Sequence, residues 1–209
     1  MKKIVVVTAG LSVPSSTRLL GEAAARAVES RGTDVDVSYV ELRPLAHALA
    51  DHLLTGFPSG DLAAAIDAVG RADGLVVVTP VFAASYSGLF KTFFDVLEPG
   101  TLDGTPVLVA ATAGTARHSL VLDHALRPLF SHLRAVVVPT GVFAASEDFG
   151  ATADGSLRKR VERAAGELAA LLGVGADESV PRRGTAADEQ AEVVPFEQLL
   201  REAGGGSTR

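Results

Sequence analysis

The sequence predicts an α/β protein built on an open, doubly wound parallel sheet, and two observations support this fold class. Short β-branched runs alternate along the chain with helical patterns, as expected of repeated βα units. Three of these runs, at residues 76–78, 107–109 and 136–138, are continuously apolar rather than alternating. Continuous apolar runs are typical of strands that helices cover on both faces. Ligand sites in such a fold lie beyond the carboxyl ends of the strands.

Five βα units account for most of the chain. Strands are predicted where β-branched residues cluster, at residues 3–8, 34–40, 73–79, 106–112 and 135–139. Helices are predicted where apolar residues recur every three or four positions, at about residues 16–31, 60–71, 86–97, 118–133 and 155–173. The segment with His47, Asp51 and His52 is predicted as a loop, and a surface cluster is favoured over a metal site because no further ligand is evident.

Residues 1–174 are predicted to form one domain, and residues 175–209 a C-terminal extension. The extension is charged and poor in large apolar residues. A short helix is expected near residues 195–203, opened by Pro195, and the tail after it is expected to be disordered.

Composition excludes several classes of function. The 209-residue chain has a net charge of −6, 5% aromatic residues and no Trp, which argues against general binding to nucleic acid or anionic membranes. It has no Cys, so disulfides, zinc fingers and thiol nucleophiles are excluded. The apolar run after Lys3 is too short for a signal peptide, and no stretch is as long as a membrane span. A soluble, cytoplasmic protein is expected.

The segment between the first strand and the first helix, residues 8–18 (loop 1), is rich in Gly and hydroxyl residues. A strand that turns through such residues into a helix N-terminus can bind an anion with its free N–H groups and the helix dipole. The hydroxyls of Ser12, Ser15, Ser16 and Thr17 and the charge of Arg18 could add to it. The alternative is that Ser15 or Ser16 simply caps the helix.

Two more connections are expected at the same edge of the sheet, residues 79–88 (loop 2) and residues 112–118 (loop 3). The three loops and their flanks contain no Asp or Glu, although the chain has 25, and they contain Arg18, Lys91, Arg117 and His118. An anionic ligand is therefore predicted. Loop 2 is apolar and aromatic, and loop 3 is made of small residues whose backbone a ligand can approach, with Gly114 free to adopt unusual dihedrals. A phosphate at loop 1 and a flat ring between loops 2 and 3 indicate FMN.

Four segments of the chain resemble a known protein family. Residues 79–91 resemble the second flavin loop of flavodoxin-like NAD(P)H-dependent FMN reductases, and residues 111–118 resemble their third. Residues 122–129 resemble the next helix in members that serve sulfonate monooxygenases. Residues 10–20 are most similar to a branch that supplies luciferase-like monooxygenases. The resemblance covers about residues 3–172 and implies a five-stranded sheet in the order 2-1-3-4-5, with helices on both faces.

The resemblance implies the site residues. The phosphate contacts would come from Ser12, Ser15, Ser16, Thr17 and Arg18. The isoalloxazine and ribityl side would be lined by Pro80, Val81, Phe82 and Ala83. The pyrimidine edge would meet Thr112, Ala113, Gly114 and Thr115, with His118 close by. No catalytic residue and no metal ligand is implied.

Three positions depart from the family pattern. Phe82 stands where relatives often have Tyr, and Ala83 where sulfonate-linked members often have Lys. His124 occupies a helix position often held by Tyr, which is associated with a π-bulge near a subunit interface. The alternative for His124 is an ordinary interfacial histidine.

The implied reaction is hydride transfer from NADPH or NADH to flavin N5, with reduced FMN supplied to a separate flavin-dependent monooxygenase. The resemblance also implies a homodimer or homotetramer, in which the apolar stripe Phe90, Phe93, Phe94 and Leu97 either packs in the core or builds the interface. Two alternatives stay open. One is an NAD(P)H quinone or azo-dye reductase with bound FMN, and the other is a non-enzymatic, flavodoxin-like flavin-binding module.

Overall fold

The computed structural model describes residues 1–58, 60–149 and 155–175. Helices and strands alternate through most of this length, which confirms the predicted α/β class. The strands are β1 (Lys2–Thr8), β2 (Val35–Glu41), β3 (Gly74–Phe82), β4 (Ser85–Tyr86), β5 (Pro106–Ala113), β6 (Val136–Val137) and β7 (Val142–Ala145). The α-helices are α1 (Ser16–Glu29), α2 (Ala46–Thr55), α3 (Gly60–Gly70), α4 (Gly88–Asp95), α5 (Arg127–His132) and α6 (Ser156–Leu172).

The sheet has seven strands rather than the predicted five. Its main path runs β2-β1-β3-β5-β6 with parallel pairing, while β7 pairs in parallel with β5 and β4 pairs antiparallel with β3. The prediction of a simple 2-1-3-4-5 sheet is therefore correct for the parallel β2-β1-β3-β5 path and wrong for the outer edge. The carboxyl ends of β1, β3 and β5 lie next to one another, as the site prediction requires.

The outer edge of the sheet is interrupted. The predicted strand at 135–139 is replaced by β6, which pairs with the start of β5, and β7, which pairs with its end. Pro139 lies in the gap, where a residue without an N–H cannot continue a ladder. The Arg127 guanidinium donates to the carbonyls of Val138 and Pro139, so these groups are satisfied from α5.

Both faces of the sheet are buried. Val5 and Val7 of β1 belong to one apolar cluster, and Ile4 and Val6 to the other, on the opposite face. Gly21 lets α1 lie close to β1, because a Cβ there would be 3.0 Å from Thr8 Cγ2 and Val6 Cγ1. This close packing fixes the position of the α1 N-terminus above the end of β1.

Two helix predictions are corrected. The segment with His47, Asp51 and His52 forms α2 rather than a loop. The predicted helix at 118–133 is three pieces: a 3₁₀-helix at Ala116–His118, a π-helix at Leu122–Leu126 and α5.

The aromatic stripe of α4 packs inside the molecule. Phe90, Phe93, Phe94 and Leu97 are all buried. Phe94 makes an edge contact with Phe130 of α5, with ring centroids 4.9 Å apart. The core interpretation of this stripe is therefore confirmed, and a homodimer or homotetramer stays a prediction.

The predicted helix near residues 195–203 and the predicted disordered tail lie outside the described residues. The boundary at residue 174 stays a prediction, and α6 ends two residues before it, at Leu172. Within the described ranges, no helix is long and apolar enough to cross a membrane.

Candidate flavin site

Loop 1 ends in a helix N-terminus that is suited to an anion. Ser15 is the N-cap of α1, and its hydroxyl accepts a hydrogen bond of 3.2 Å from the N–H of Arg18. The N–H groups of Ser16 and Thr17 have no intrahelical acceptor, since they lie in the first turn. That turn contains no acidic residue. The capping role therefore belongs to Ser15, while two amide donors remain for a ligand.

A buried hydroxyl pair joins loop 1 to loop 3. Thr17 Oγ1 and Thr112 Oγ1 lie 2.9 Å apart, and the two residues are only 2% and 4% exposed. The start of α1 is thus fixed against the end of β5, which brings two groups of predicted site residues together. The Thr17 hydroxyl is thus bonded within the protein, whereas its amide N–H lies in the first turn of α1 and has no intrahelical acceptor.

Loop 1 borders a pocket of about 280 Å³. Gly10, Ser12 and Ser15 line one side of this pocket, and the ends of β1 and β2 close the other. Gly10 is needed for close packing within the loop, because a Cβ there would lie 2.0 Å from Ser15 Oγ. The loop therefore folds tightly around its own hydroxyls.

Loop 1 has no carboxylate of its own, but the fold brings two of them to Arg18. Its Nε donates to Glu22 at 2.8 Å, and its Nη1 lies 2.9 Å from Glu41 at the end of β2. The hydrogen bond to Glu22 and the charge of Glu41 raise the pKa of Arg18. With Arg43 also lining the pocket, two cations face two carboxylates. Sequence reasoning missed Glu41 because only the fold brings β2 beside loop 1.

Loop 2 is a tight β-hairpin, which the sequence pattern did not reveal. Val81 pairs with Tyr86 and Phe82 with Ser85, leaving Ala83 and Ala84 as the turn. Both alanines have positive φ, 47° and 65°. Two-residue hairpins favour this conformation, but Asn and Gly adopt it far more easily than Ala. Phe82 is 47% exposed beside this turn, so its ring is available to a ligand.

A polar network holds loop 2 onto α4. Thr79 Oγ1 accepts from the Ser87 N–H at 3.0 Å and donates to the Pro80 carbonyl at 2.9 Å. Ser87 caps α4 by accepting from the N–H of Phe90. Thr79 and Ser87 are buried. On the outside of α4, Lys91 and Asp95 form an ion pair with each other, so Lys91 is not a free cation of the site.

Loop 3 leaves the end of β5 as an exposed turn. Thr112 is buried and Ala113 half-buried, whereas Gly114, Thr115 and His118 are exposed. Gly114 does not have a positive φ, and a Cβ there would meet no atom within 4 Å. Gly114 therefore makes no use of its conformational freedom here, and the open space beside it is the feature that suits a ligand.

The π-helix contains His124 at its middle, where the family resemblance implied a π-bulge. The His124 side chain is exposed. Among the described residues, no group of three or more His, Cys, Asp or Glu could hold a metal ion. His47 and Asp51 are exposed and His52 is half-buried, and the interpretation of the three as a surface cluster stays a prediction.

The comparisons with known proteins show the family to which the chain belongs. The family model described as NADPH-dependent FMN reductase matches residues 2–150. The chain belongs to this FMN reductase family. Members of the family are oxidoreductases that use FMN and a reduced nicotinamide nucleotide, and this chain is one of them.

Individual relatives of this FMN reductase support the assignment. The chain is 41% identical over 147 residues to the NADH-dependent FMN reductase SfnF of Pseudomonas putida, which covers 70% of this chain and 79% of the relative. It is 50% identical to the X-ray structure of an oxidoreductase from Corynebacterium diphtheriae, with a TM-score of 0.79 and coverage of 86% of this chain and 99% of that one. A flavodoxin, WrbA-like protein from Agrobacterium tumefaciens shows the fold alone, at 18% identity, a TM-score of 0.58 and coverage of 83% and 99%.

Proposed function

We propose that this FMN reductase binds FMN across loops 1, 2 and 3, transfers hydride to it from NADPH or NADH, and releases reduced FMN to a separate flavin-dependent monooxygenase. The observation that carries the site is the Thr17–Thr112 bond, because it joins the phosphate end and the ring end of the predicted pocket. The three loops follow β1, β3 and β5, which are neighbours in the sheet.

The phosphate end fits loop 1. A phosphate needs several donors, and the first turn of α1 offers the amides of Ser16 and Thr17 and the hydroxyl of Ser16. Ser12 adds a hydroxyl from the same loop. Ser15 shapes the turn as the N-cap. Arg18 is paired with Glu22 and Glu41, so its guanidinium is not free to make two hydrogen bonds to the phosphate. It contributes a partly balanced positive charge instead.

The ring end fits loops 2 and 3. Pro80, Val81, Phe82 and Ala83 run from β3 into the hairpin turn, where the exposed Phe82 ring offers an apolar face. The small side chains of Ala83 and Ala84 leave room above that face for a second ring. Thr112, Ala113, Gly114 and Thr115 form the opposite wall, with His118 at its end.

The bound flavin supplies the hydride acceptor and the nicotinamide nucleotide supplies the hydride, so the protein contributes binding, orientation and electrostatics. The loop 2 hairpin and loop 3 would hold the flavin ring and leave one of its faces for the nicotinamide. With the flavin bound, the backbone N–H groups of loop 3 and the charge of Arg117 would stabilise the ring as it gains electron density. No side chain needs to move a proton for the transfer itself.

Release of the product follows from the balance of charge around loop 1. Glu22 and Glu41 both pair with Arg18, and together with Arg43 these four side chains add no net charge to the pocket, so a phosphate gains little net attraction from them. An exchanging flavin is what a separate monooxygenase requires, since it receives reduced FMN by diffusion. The residues that weaken phosphate binding thus support the proposal that reduced FMN is passed to a separate monooxygenase.

The test is a steady-state comparison of electron acceptors. Oxidation of NADPH and of NADH is measured with FMN and with a quinone as the acceptor, each over a range of concentrations. The proposal predicts a clearly higher kcat/KM for FMN. A strong preference for quinone would assign the site to a quinone reductase, and no nucleotide oxidation with either acceptor would leave a flavin-binding module.

A further inference from the structure

A second pocket lies away from the three loops, at the interrupted edge of the sheet. It has a volume of about 490 Å³, within the range of roughly 300–1,000 Å³ that is typical of small-molecule sites. Its floor is the gap between β6 and β7, at Pro139, Thr140 and Gly141. One wall is the π-helix and the start of α5, and the other is the first two turns of α6.

The lining of this pocket is strongly basic. Four cationic side chains line it, namely Arg127, Lys159, Arg160 and Arg163. Asp123 is the carboxylate in the lining, and its Oδ1 accepts from Arg127 Nε at 2.9 Å. Such a concentration of positive charge stands out on a chain whose net charge is −6.

Three of these cations are free to bind. Within the described ranges, the side chains of Lys159, Arg160 and Arg163 form no hydrogen bond or ion pair. Residues 156, 160 and 163 share one face of α6, since they are four and three positions apart. Arg158 lies outside the lining and pairs with Glu162. The unpaired cations of this stretch of α6 are therefore those that line the pocket.

The loop 1 pocket differs in this respect. There two cations face two carboxylates, whereas here three cations remain after the Arg127–Asp123 pair is counted. Arg127 is also fixed in place by its bonds to the Val138 and Pro139 carbonyls, so one guanidinium of the pocket is already ordered. Among the described residues that line the pocket none is aromatic, so they offer charge without a platform for a base or ring.

We propose that this basic pocket, lined by Arg127, Lys159, Arg160 and Arg163, is a second anion site that binds a phosphate group. Guanidinium forks match phosphate oxygens in pairs, and lysine adds a point charge. Two sources of that phosphate suit this enzyme: the 2′-phosphate of NADPH, or a separate phosphorylated compound. The anion site does not depend on the proposed reductase activity. Only the assignment of the bound phosphate to NADPH rests on that activity.

The experiment begins with binding of inorganic pyrophosphate, measured by titration calorimetry on the full-length chain saturated with FMN. The variant R160Q/R163Q removes two free cations of the pocket. The control R71Q/R158Q removes the same charge at two exposed arginines that pair with Asp67 and Glu162 outside it. A loss of roughly tenfold or more in affinity is expected for R160Q/R163Q, as for lost charge-assisted bonds to phosphate. The control is expected to bind like the natural chain.

The proposal is overturned if pyrophosphate does not bind, or if the two double variants lose affinity equally, because the effect would then be one of net charge. Kinetics on the same variants identify the source. A KM for NADPH that rises about tenfold in R160Q/R163Q, with the KM for NADH unchanged, assigns the phosphate to NADPH. Lost pyrophosphate binding with both KM values unchanged supports the site and assigns it to a separate phosphorylated ligand. A chain without reductase activity would leave the calorimetric result intact.

Discussion

Thr17 has a role in loop 1 that differs from the one expected from the sequence. Its hydroxyl pairs with Thr112 in a buried contact, so its side chain stabilises the site while its backbone amide is left for phosphate. Sequence reasoning placed both threonines in the site because each follows a strand. It could not show that they bond to each other, since the contact depends on α1 lying close to β1.

Replacement of Thr17 by Val is expected to lower the free energy of unfolding. Valine keeps the shape of threonine but leaves the buried Thr112 hydroxyl without its partner, which costs about 1–3 kcal/mol. The double variant T17V/T112V removes both hydroxyls and is expected to recover most of the loss. Denaturant unfolding of the two variants checks this. Equal or additive losses in the double variant would contradict the paired role.

Glu41 is expected to limit the affinity for FMN. Replacement of Glu41 by Gln leaves Arg18 with one carboxylate partner, so its guanidinium can turn toward the phosphate. The dissociation constant of FMN should fall roughly two- to fivefold, the range for an exposed ion pair. Fluorescence titration of FMN measures it. The control D67N removes the same charge from the Asp67–Arg71 pair on α3, and an equal change there would reduce the effect to net charge.

Among the elements, the hairpin of loop 2 is the one that departs most from its own sequence preferences. A two-residue turn of this kind is ordinarily signalled by Asn and Gly, and here it is made by Ala83 and Ala84. The pattern around residues 79–88 could therefore predict a loop but not a hairpin. Backbone strain of this kind is often found at functional sites, and small side chains beside the exposed Phe82 are consistent with that.

Replacement of Ala84 by Gly is expected to stabilise the fold. Alanine at φ 65° carries a steric cost that glycine does not, and the gain should be about 0.5–1 kcal/mol after the entropy of glycine is included. The matched control is Ala23→Gly inside α1, which should lower the stability by about 1 kcal/mol. Thermal unfolding of both variants gives the answer. A loss of stability at position 84 would contradict the strained turn.

The start of β1 and the turn before β3 are tied together by Asp73. Its carboxylate accepts from the Lys3 N–H at 2.8 Å, and its own N–H donates to the Lys3 carbonyl at 2.8 Å. The hydrogen bond from the Lys3 N–H, with a further contribution from Lys2, lowers the pKa of Asp73. A lowered pKa means that the ionised form stabilises the fold above the ordinary Asp range, and that this contribution is lost as the pH falls through the lowered pKa.

Asp73→Asn is therefore expected to be less stable than the natural chain at pH 7, with a difference that shrinks in acid below about pH 4. Asparagine keeps the shape and one acceptor but not the charge. Urea unfolding at neutral and acid pH follows the difference between the two proteins. A difference that stays constant with pH would contradict an electrostatic role for the carboxylate.

For the molecule as a whole, the sequence predicted the parallel core of the sheet, because Val76–Val78 and Val107–Val109 are buried on both faces. It did not predict the broken outer edge, because residues 136–138 continue the same apolar pattern. The break depends on Pro139 and on Arg127, which reaches this edge from α5. The edge where loops 1, 2 and 3 meet follows from the topology. The carboxylates that balance its charge come from α1 and β2, so the pattern of the loops alone could not reveal them.

The most direct test of the central claim is an anaerobic turnover measurement with NADPH and excess FMN. The consumption of NADPH and the loss of the yellow flavin absorbance are followed together at a low concentration of the protein. The proposed function predicts one FMN reduced for each NADPH consumed, over many turnovers per chain. Bleaching that stops at about one FMN per chain, or that occurs with neither NADPH nor, in a repeat of the measurement, NADH, would contradict a reductase that binds FMN at these three loops and releases it.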